Sequence, residues 1–366
     1  MSIRALTLIA AAVAVSIPAG ASANVVFATL SGGTAPIRVA NDDGTGARTI
    51  ARGLGPVVSP DGGKVAYLLN SGGVSDQKPV RVIGVATGTV ATVVGRCMPG
   101  SLMWSPDSTR ILCRTEAVTA RGVVTGNGLA IIGPVPAQLV ATPAIPYGVL
   151  IAAKRHVMGE FGWSPDSTRI VIATGPFSMT GVGMDVYVAD PAAMSAKARI
   201  MSRANYPVWG AAGIAVARFR NVYVRVGGSR TPMTHSQVWI VQPDGSGARQ
   251  VTHYAAKGLM MGPQAALWTP SGADLIGSLV GEDVSQLVRI DVASGRPVRI
   301  SPQWSLVTPV AVSADGSRIL SVTSFDTAAR GIGIGNRLES TTTAGTDRRV
   351  IARNVTDASV SADWAP

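Results

Sequence analysis

Side chains able to do chemistry are few and unevenly placed in this 366-residue chain. The three histidines are His156, His235 and His253. Counting back from the Pro243-Asp244-Gly245 turn, His235 and His253 fall near the base of one hairpin, on opposite strands. Two imidazoles could share a metal, but no carboxylate or thiol lies near enough in sequence to complete a ligand set. Both are read as ordinary surface histidines, and no metal or cofactor is expected. Of the 21 carboxylates, many sit in turns, among them Asp61, Asp107, Asp166, Asp244 and Asp315. An aspartate there serves backbone hydrogen bonds rather than acid-base work. No G-x-S-x-G nucleophile elbow occurs: Gly227-Gly228-Ser229-Arg230-Thr231 fails at its last position. No catalytic residue is assigned, and no hydrolase domain is expected after the last repeat.

Basic residues are the more distinctive population. The segment from Pro191 to Pro243 contains no Asp or Glu, yet carries Lys197, Arg199, Arg203, Arg218, Arg220, Arg225 and Arg230. Arg218 and Arg220, two apart on a strand, share one face. A second pattern concerns the connections that lead into each repeat described below: Arg52, Arg96, Arg155, Arg203, Lys257 and Arg353 each come shortly before one. Clustered at one mouth of a channel, they would focus positive potential there. The two cysteines, Cys97 and Cys113, flank the turn at Pro106, and antiparallel return is expected to put both on the same face of one sheet. In a secreted chain with an even cysteine count a disulfide is expected, two buried thiols being the alternative.

What positions these residues is a repeat. WSPDSTRI occurs identically at Trp104–Ile111 and Trp163–Ile170. Looser copies are VSPDGGKVAYL from Val58, WTPSGADLI from Trp268 and VSADGSRIL from Val312; a worn one, WGAAGIAVARF, starts at Trp209, and VSADWAP starts at Val360. Each copy reads as a hairpin, since Pro presets φ, Asp bonds the nearby backbone and Gly accepts positive φ. Further hairpins lie between copies, at Ile37–Ile50, Val238–Thr252 and Leu287–Ser301. Two hairpins make a four-stranded antiparallel blade. The turn positions Pro60, Pro106, Pro165, Ala211, Pro270, Ala314 and Ala362 are 46, 59, 46, 59, 44 and 48 residues apart, near the ~40–50 residues of a propeller blade. The expected fold is therefore an all-β propeller, seven blades preferred over six. The stretch from Asn24 to Leu30 would supply the strand that the last copy lacks, so that one blade is stitched from both termini.

The W-S-P-D-G/S-x-K/R-I core, followed by an x-D-G-x-x-R-x-I/V-T arm, resembles the WD-like repeat of TolB-type β-propellers. The resemblance runs over nearly the whole chain from residue 24 and departs at Trp209, where Pro and Asp are lost. It implies a propeller without the small N-terminal α/β domain of TolB, and a role at the cell envelope by analogy.

At the start, Arg4, the apolar run Leu6–Ile17 and the small-residue ending at Ala23 describe a secretory signal peptide over residues 1–23. Residues 24–366 are then a single propeller domain in a secreted or periplasmic chain. Removing Arg4 lowers the formal net charge from +11 by one. Hydrophobic residues at 46% with charged residues at 14% exclude disorder, and 42 Gly with 23 Pro exclude a helical bundle. Between Arg121 and Lys154 there is no charge, but Pro134, Pro136, Pro143 and Pro146 argue for buried strands rather than a spanning helix.

The expected function is a non-enzymatic binding scaffold, expected to be a monomer. Arg203, Arg218, Arg220 and Arg225, with Arg52, Arg96, Arg155 and Arg353 behind them, would bind an anionic partner: an acidic protein, a lipid head group or an acidic glycan. Nucleic acid is disfavoured by export and by few stacking aromatics. The alternative is a propeller enzyme of glycan lyase or lactonase type, its site at the channel mouth with His156, Glu160 and Asp357. Trp104, Trp163, Trp209 and Trp268 are assigned to packing between blades rather than to ligand.

Overall fold

Five of the repeats fold around a Ser or Thr hydroxyl that ties the hairpin shut from inside. In the computed structural model, the hydroxyls of Ser59, Ser105, Ser164 and Ser313 donate to the carboxylate two residues on, and each accepts the backbone N–H five residues on, at Lys64, Arg110, Arg169 and Arg318. Thr269 accepts the N–H of Asp274 in the same way. The aspartates in turn accept the N–H of Gly63, Thr109, Thr168 and Ser317. The structure describes residues 25–29, 35–70, 77–118, 124–139, 144–153, 156–176, 184–194, 197–226, 228–255, 260–281, 285–301, 306–325, 335–355 and 362–364. The segment 1–23 lies outside them.

Among these residues every regular element of length is a strand, and no helix is long and apolar enough to cross a membrane. Strands β1 (Val25–Ala28), β2 (Pro36–Ala40) and β3 (Arg48–Arg52) pair in order. The next sheet is β4 (Leu54–Val58), β5 (Lys64–Leu68), β6 (Lys78–Gly84) and β7 (Val90–Cys97). It is followed by β8 (Met103–Trp104), β9 (Ile111–Val118), β10 (Val124–Ile132) and β11 (Tyr147–Ala153), then by β12 (His156–Trp163), β13 (Ile170–Pro176), β14 (Asp185–Ala189) and β15 (Ala198–Ser202). The basic segment folds as β16 (Ala204–Gly210), β17 (Gly213–Val226), β18 (Ser229–Val241) and β19 (Arg249–Gln250). Strands β20 (Met260–Trp268), β21 (Asp274–Gly281), β22 (Ser285–Asp291) and β23 (Pro297–Arg299) come next. They are joined by one parallel bridge, Ser285 to Leu306, to β24 (Leu306–Val312), β25 (Arg318–Phe325), β26 (Gly335–Thr342) and β27 (Arg349–Arg353). Finally β28 (Ala362–Trp364) pairs antiparallel with β1, Val25 opposite Trp364.

The core lies between sheets rather than within one. Leu68, Val80, Trp104 and Ile111 form one cluster shared by two successive sheets, and Val25 and Phe27 cluster with Leu320, Val322 and Leu338 from the far end of the chain. The repeat motif also bonds sheet to sheet. The indole N–H of Trp104, Trp163 and Trp268 donates to the carbonyls of Val57, Met103 and Val208 in the preceding sheet, at 3.1, 3.4 and 3.0 Å. The basic residue ending one copy lies over the tryptophan of the next: Lys64 over Trp104, Arg110 over Trp163 and Arg169 over Trp209.

The worn copy differs in length as well as in residues. Trp104 pairs with Ile111 and Trp163 with Ile170, but Trp209 pairs with Ile214, so this turn is two residues shorter and holds only Ala211 and Ala212. The region of Pro134, Pro136 and Pro146 lies between the strands β10 and β11.

Candidate functional site

The acid-free segment builds the longest hairpin of the described residues. β16 flanks β17 only as far as Arg218, and β19 flanks β18 only at Trp239 and Ile240. The pairs from Asn221–Thr234 to Val226–Ser229 therefore bond only to each other, as a two-stranded ribbon running past its neighbours. Its base is held where the Ser236 hydroxyl donates to the carbonyls of Met261 and Pro263.

Strand alternation divides the ribbon into two faces. One carries Arg218, Arg220, Val222 and Val224 opposite Gln237, His235, Met233 and Thr231. This face is mixed: Val224 is buried and Arg218 is half-buried over the Trp239 ring at 4.9 Å, while Arg220 is exposed. The other face carries Asn221, Tyr223 and Arg225 opposite Thr234, Pro232 and Arg230. There Tyr223 is 64% exposed, and the Arg230 guanidinium stacks on its ring at 4.3 Å. Arg225 and Arg230 stand directly opposite one another, with no Asp or Glu anywhere between Gly213 and Val241. Like charges so placed repel.

Arg218 and Arg220 do share a face, on which Arg220 is exposed, while Arg225 and Arg230 at the tip lie on the other. Arg230 and Tyr223 stood outside the residues assigned from sequence. Arg230 was visible as a member of the acid-free basic segment, and Tyr223 only within the long run of strand-forming residues before Gly227-Gly228.

The histidines require a correction. His235 is fully buried rather than on the surface, since the mixed face of the ribbon and Tyr254 enclose it, and its Nε2 has no hydrogen-bond partner. Burial, and then the charge of Arg220, hold its imidazole below the usual histidine range. His253 is exposed beyond the end of β19, in a cleft of about 460 Å³ with Arg296 and Arg299. No group of three metal-ligating side chains occurs among the described residues.

The other described arginines assigned from sequence sit in outer strands or in the connection that follows one. Arg52 and Arg353 end outer strands β3 and β27, and Arg96 lies in β7, its guanidinium donating to the Gln77 carbonyl at 2.9 Å. Arg203 sits between β15 and β16 with a φ of 54°, its N–H donating to Asp185. None of these lines the central cavity described next. Arg155, Lys257 and Asp357 lie outside the described residues, as does the side chain of His156. Cys97 and Cys113 are disulfide-bonded, but Cys97 ends β7 and Cys113 belongs to β9, so the bond joins two neighbouring sheets rather than two strands of one. The expectation of one sheet fails because β7, ending at Cys97, completes the preceding sheet, and β8 starts only at Met103.

A cavity of about 480 Å³ lies among the first strands of successive sheets, walled by Trp104, Phe161, Trp163, Tyr206, Trp209 and Leu267, with Glu160 at its edge. Glu160 accepts a hydrogen bond from Arg114 at 2.6 Å. Burial, and next the charge of Glu160, push the Tyr206 phenol above its ordinary value, opposed by Arg114.

No protein-family profile matches the chain. Nor does any curated protein sequence. Solved structures do resemble it. TolB from Acinetobacter baumannii is 13% identical over 94% of this chain and 67% of its own, with a TM-score of 0.50. The β-propeller domain of the Trilobed protease from Pyrococcus furiosus is 12% identical over 90% of this chain and 98% of its own, TM-score 0.58. A puromycin hydrolase is 14% identical over 92% of this chain and 53% of its own, TM-score 0.60, so the chain spans about half that enzyme's length. At these identities the likeness is one of fold: the chain is a β-propeller of the kind found in TolB and in peptidase propeller domains.

Proposed function

We propose that this chain is an exported, non-enzymatic propeller scaffold that grips an anionic partner with the exposed face of the β17–β18 ribbon. The observation that carries the reading is Arg225 set directly opposite Arg230 on a ribbon without a single carboxylate. An arrangement that repels itself in isolation gains most when phosphate or carboxylate oxygens bridge the two guanidinium groups. Tyr223 beside them adds a rigid amphipathic contact of the type enriched in binding surfaces. The partner classes that fit are an acidic protein face, a lipid head group or an acidic glycan.

The architecture proposed is seven blades, the bridge at Ser285 being a contact between two four-stranded units. Closure through β1 and β28 is supported by the core cluster that joins the first and last sheets. Export is supported by the basic and apolar N-terminal segment, and by a disulfide that oxidising compartments favour.

Binding of the purified chain to polyglutamate, to phosphatidylglycerol vesicles and to a sulfated glycan tests the reading. Affinity for one of them should fall steeply between low and moderate salt and drop at least about tenfold on Arg225→Glu, with Arg38→Glu on an outlying strand as control. Arg225→Glu places a carboxylate opposite Arg230, so it favours ribbon folding and a loss of binding is not a loss of structure. Salt-independent binding, or equal affinity of the variant, would overturn the proposal.

A further inference from the structure

Aligning the repeats on their tryptophan exposes a second site. The position three residues before it, or before the valine that replaces it, is Gly55, Ser101, Ala265 and Pro309 in four copies, but Glu160 and Tyr206 in two adjacent ones; in the seventh it is Asp357, outside the described residues. Equivalent places on neighbouring first strands bring these two side chains together at the cavity, which both of them line. The backbone shows that Tyr206 was put there at a cost. Gly55 and Tyr206 occupy matching bulges of β4 and β16 with φ of 56° and 54°. Glycine adopts that conformation freely, whereas a tyrosine gives up roughly 1–2 kcal/mol. Pro207 follows Tyr206 as Pro56 follows Gly55, so the bulge itself is common to both copies and only the side chain is new.

Around this pair the wall is aromatic: Trp104, Phe161, Trp163 and Trp209. The volume of about 480 Å³ lies within the ~300–1,000 Å³ of small-molecule sites, which are mostly apolar with a few convergent polar groups. Glu160 is the one carboxylate among the described lining residues, and it is ion-paired with Arg114. Among the described residues only Arg114 engages the carboxylate, at Oε1, and the backbone of Glu160 is steadied by its N–H donating to Asn205 Oδ1 at 3.3 Å. Its second carboxylate oxygen and the Tyr206 hydroxyl remain to meet a donor. The rings of the wall already carry Lys64, Arg110, Arg114 and Arg169 on one side and offer the cavity apolar surface, so it is the carboxylate of Glu160 that favours a cation over an anion there.

We propose that the channel between the first strands is a binding site for a small organic amine, its ammonium on Glu160 and Tyr206 and its apolar body against the tryptophans. This site is separate from the ribbon, takes the opposite charge, and stands whether or not the ribbon binds an anion.

The tryptophans of the wall make their own reporter. Intrinsic fluorescence of the full chain is titrated with phenylbutylamine, and with phenylbutanol and phenylbutyrate as shape-matched neutral and anionic probes. The expected result is saturable change with the amine, about tenfold weaker response to the alcohol and none to the carboxylate. Glu160→Gln, which keeps the hydrogen bond from Arg114, should abolish the preference for amine over alcohol. Tyr206→Gly, which relaxes the backbone and therefore keeps the fold, should weaken amine binding while leaving the unfolding midpoint equal or higher. No saturable change with the amine, equal binding of the carboxylate, or an amine preference that survives Glu160→Gln would overturn the proposal.

Discussion

At the scale of single residues, the repeat signature is a set of hydrogen bonds that cross between copies as well as within them. The backbone N–H of Asp61 donates to the Ser108 hydroxyl and that of Asp107 to the Ser167 hydroxyl, each at 3.0 Å. Both serines hold a left-handed φ, 60° and 61°, where the other full-length copies have Gly62, Gly272 and Gly316. Serine thus trades backbone ease for a bond to the preceding sheet, and two variants separate the terms. Ser167→Ala keeps the strain and loses the bond, and should lower stability by about 1 kcal/mol. Ser167→Gly loses the same bond but relieves roughly 1 kcal/mol of strain, and should fall close to the parent. Urea unfolding of the three proteins decides: if alanine and glycine destabilise equally, the serine backbone is not strained and the trade does not exist.

At the scale of elements, strands and their order were legible because the copies resemble each other. WSPDSTRI repeated twice marks two hairpins, and the Pro-Asp-Gly/Ser turns end strands for reasons local to four or five residues. What lay beyond reading were contacts set by three-dimensional neighbours. Nothing local to Cys97 says that it closes β7 rather than leading into β8, and nothing local to His235 says that a ribbon and Tyr254 will bury it. The ribbon's length was equally hidden, since β17 and β18 read as ordinary blade strands until their partners β16 and β19 are seen to stop short. Glu160 was legible as a candidate and Tyr206 was not, because its place beside Glu160 depends on the bulge of β16 and on the neighbouring first strands. The disulfide shows the consequence for stability. It ties two sheets across a separation of 16 residues, for which loop entropy gives about 3 kcal/mol. Reduction, or Cys113→Ser, should lower the unfolding free energy by that order and loosen the contact between the β4–β7 and β8–β11 sheets first. Amide exchange that quickens uniformly around the molecule, rather than at Leu102, Trp104 and Ile111, would count against a local tie.

At the scale of the whole molecule, the same turn chemistry repeated around the fold makes stability respond to acid in two stages. Asp166 is held down to about 2, chiefly by the Ser164 hydroxyl and then by Thr168. Asp244 and Asp315 are lowered by the hydroxyls of Ser246 and Ser313, and Asp347 by Arg349 and Arg318. At Asp61 and Asp107 burial works the other way, but the bonds from Ser59 and Ser105 and their neighbours outweigh it. Each carboxylate contributes fully above its unfolded value of about 3.9, and its contribution is lost as pH falls through the lower folded value. His235 acts earlier and alone. Because the folded chain keeps its imidazole neutral, the unfolded chain binds the extra proton once pH drops below about 6.5, and stability declines from there. The urea midpoint should therefore be level from about pH 8 to 7, step down once pH drops below about 6.5, and fall further below about 4 as the carboxylates are protonated. His235→Gln should remove the upper step and leave the lower one, while Asp166→Asn should shrink only the lower. If the upper step persists in His235→Gln, the imidazole under the ribbon is not its source. If instead it disappears, the base of the ribbon is the part of the molecule that mild acid loosens first, and the basic tip with Arg225 and Arg230 loses its support at a pH where the turns around the rest of the fold are still intact.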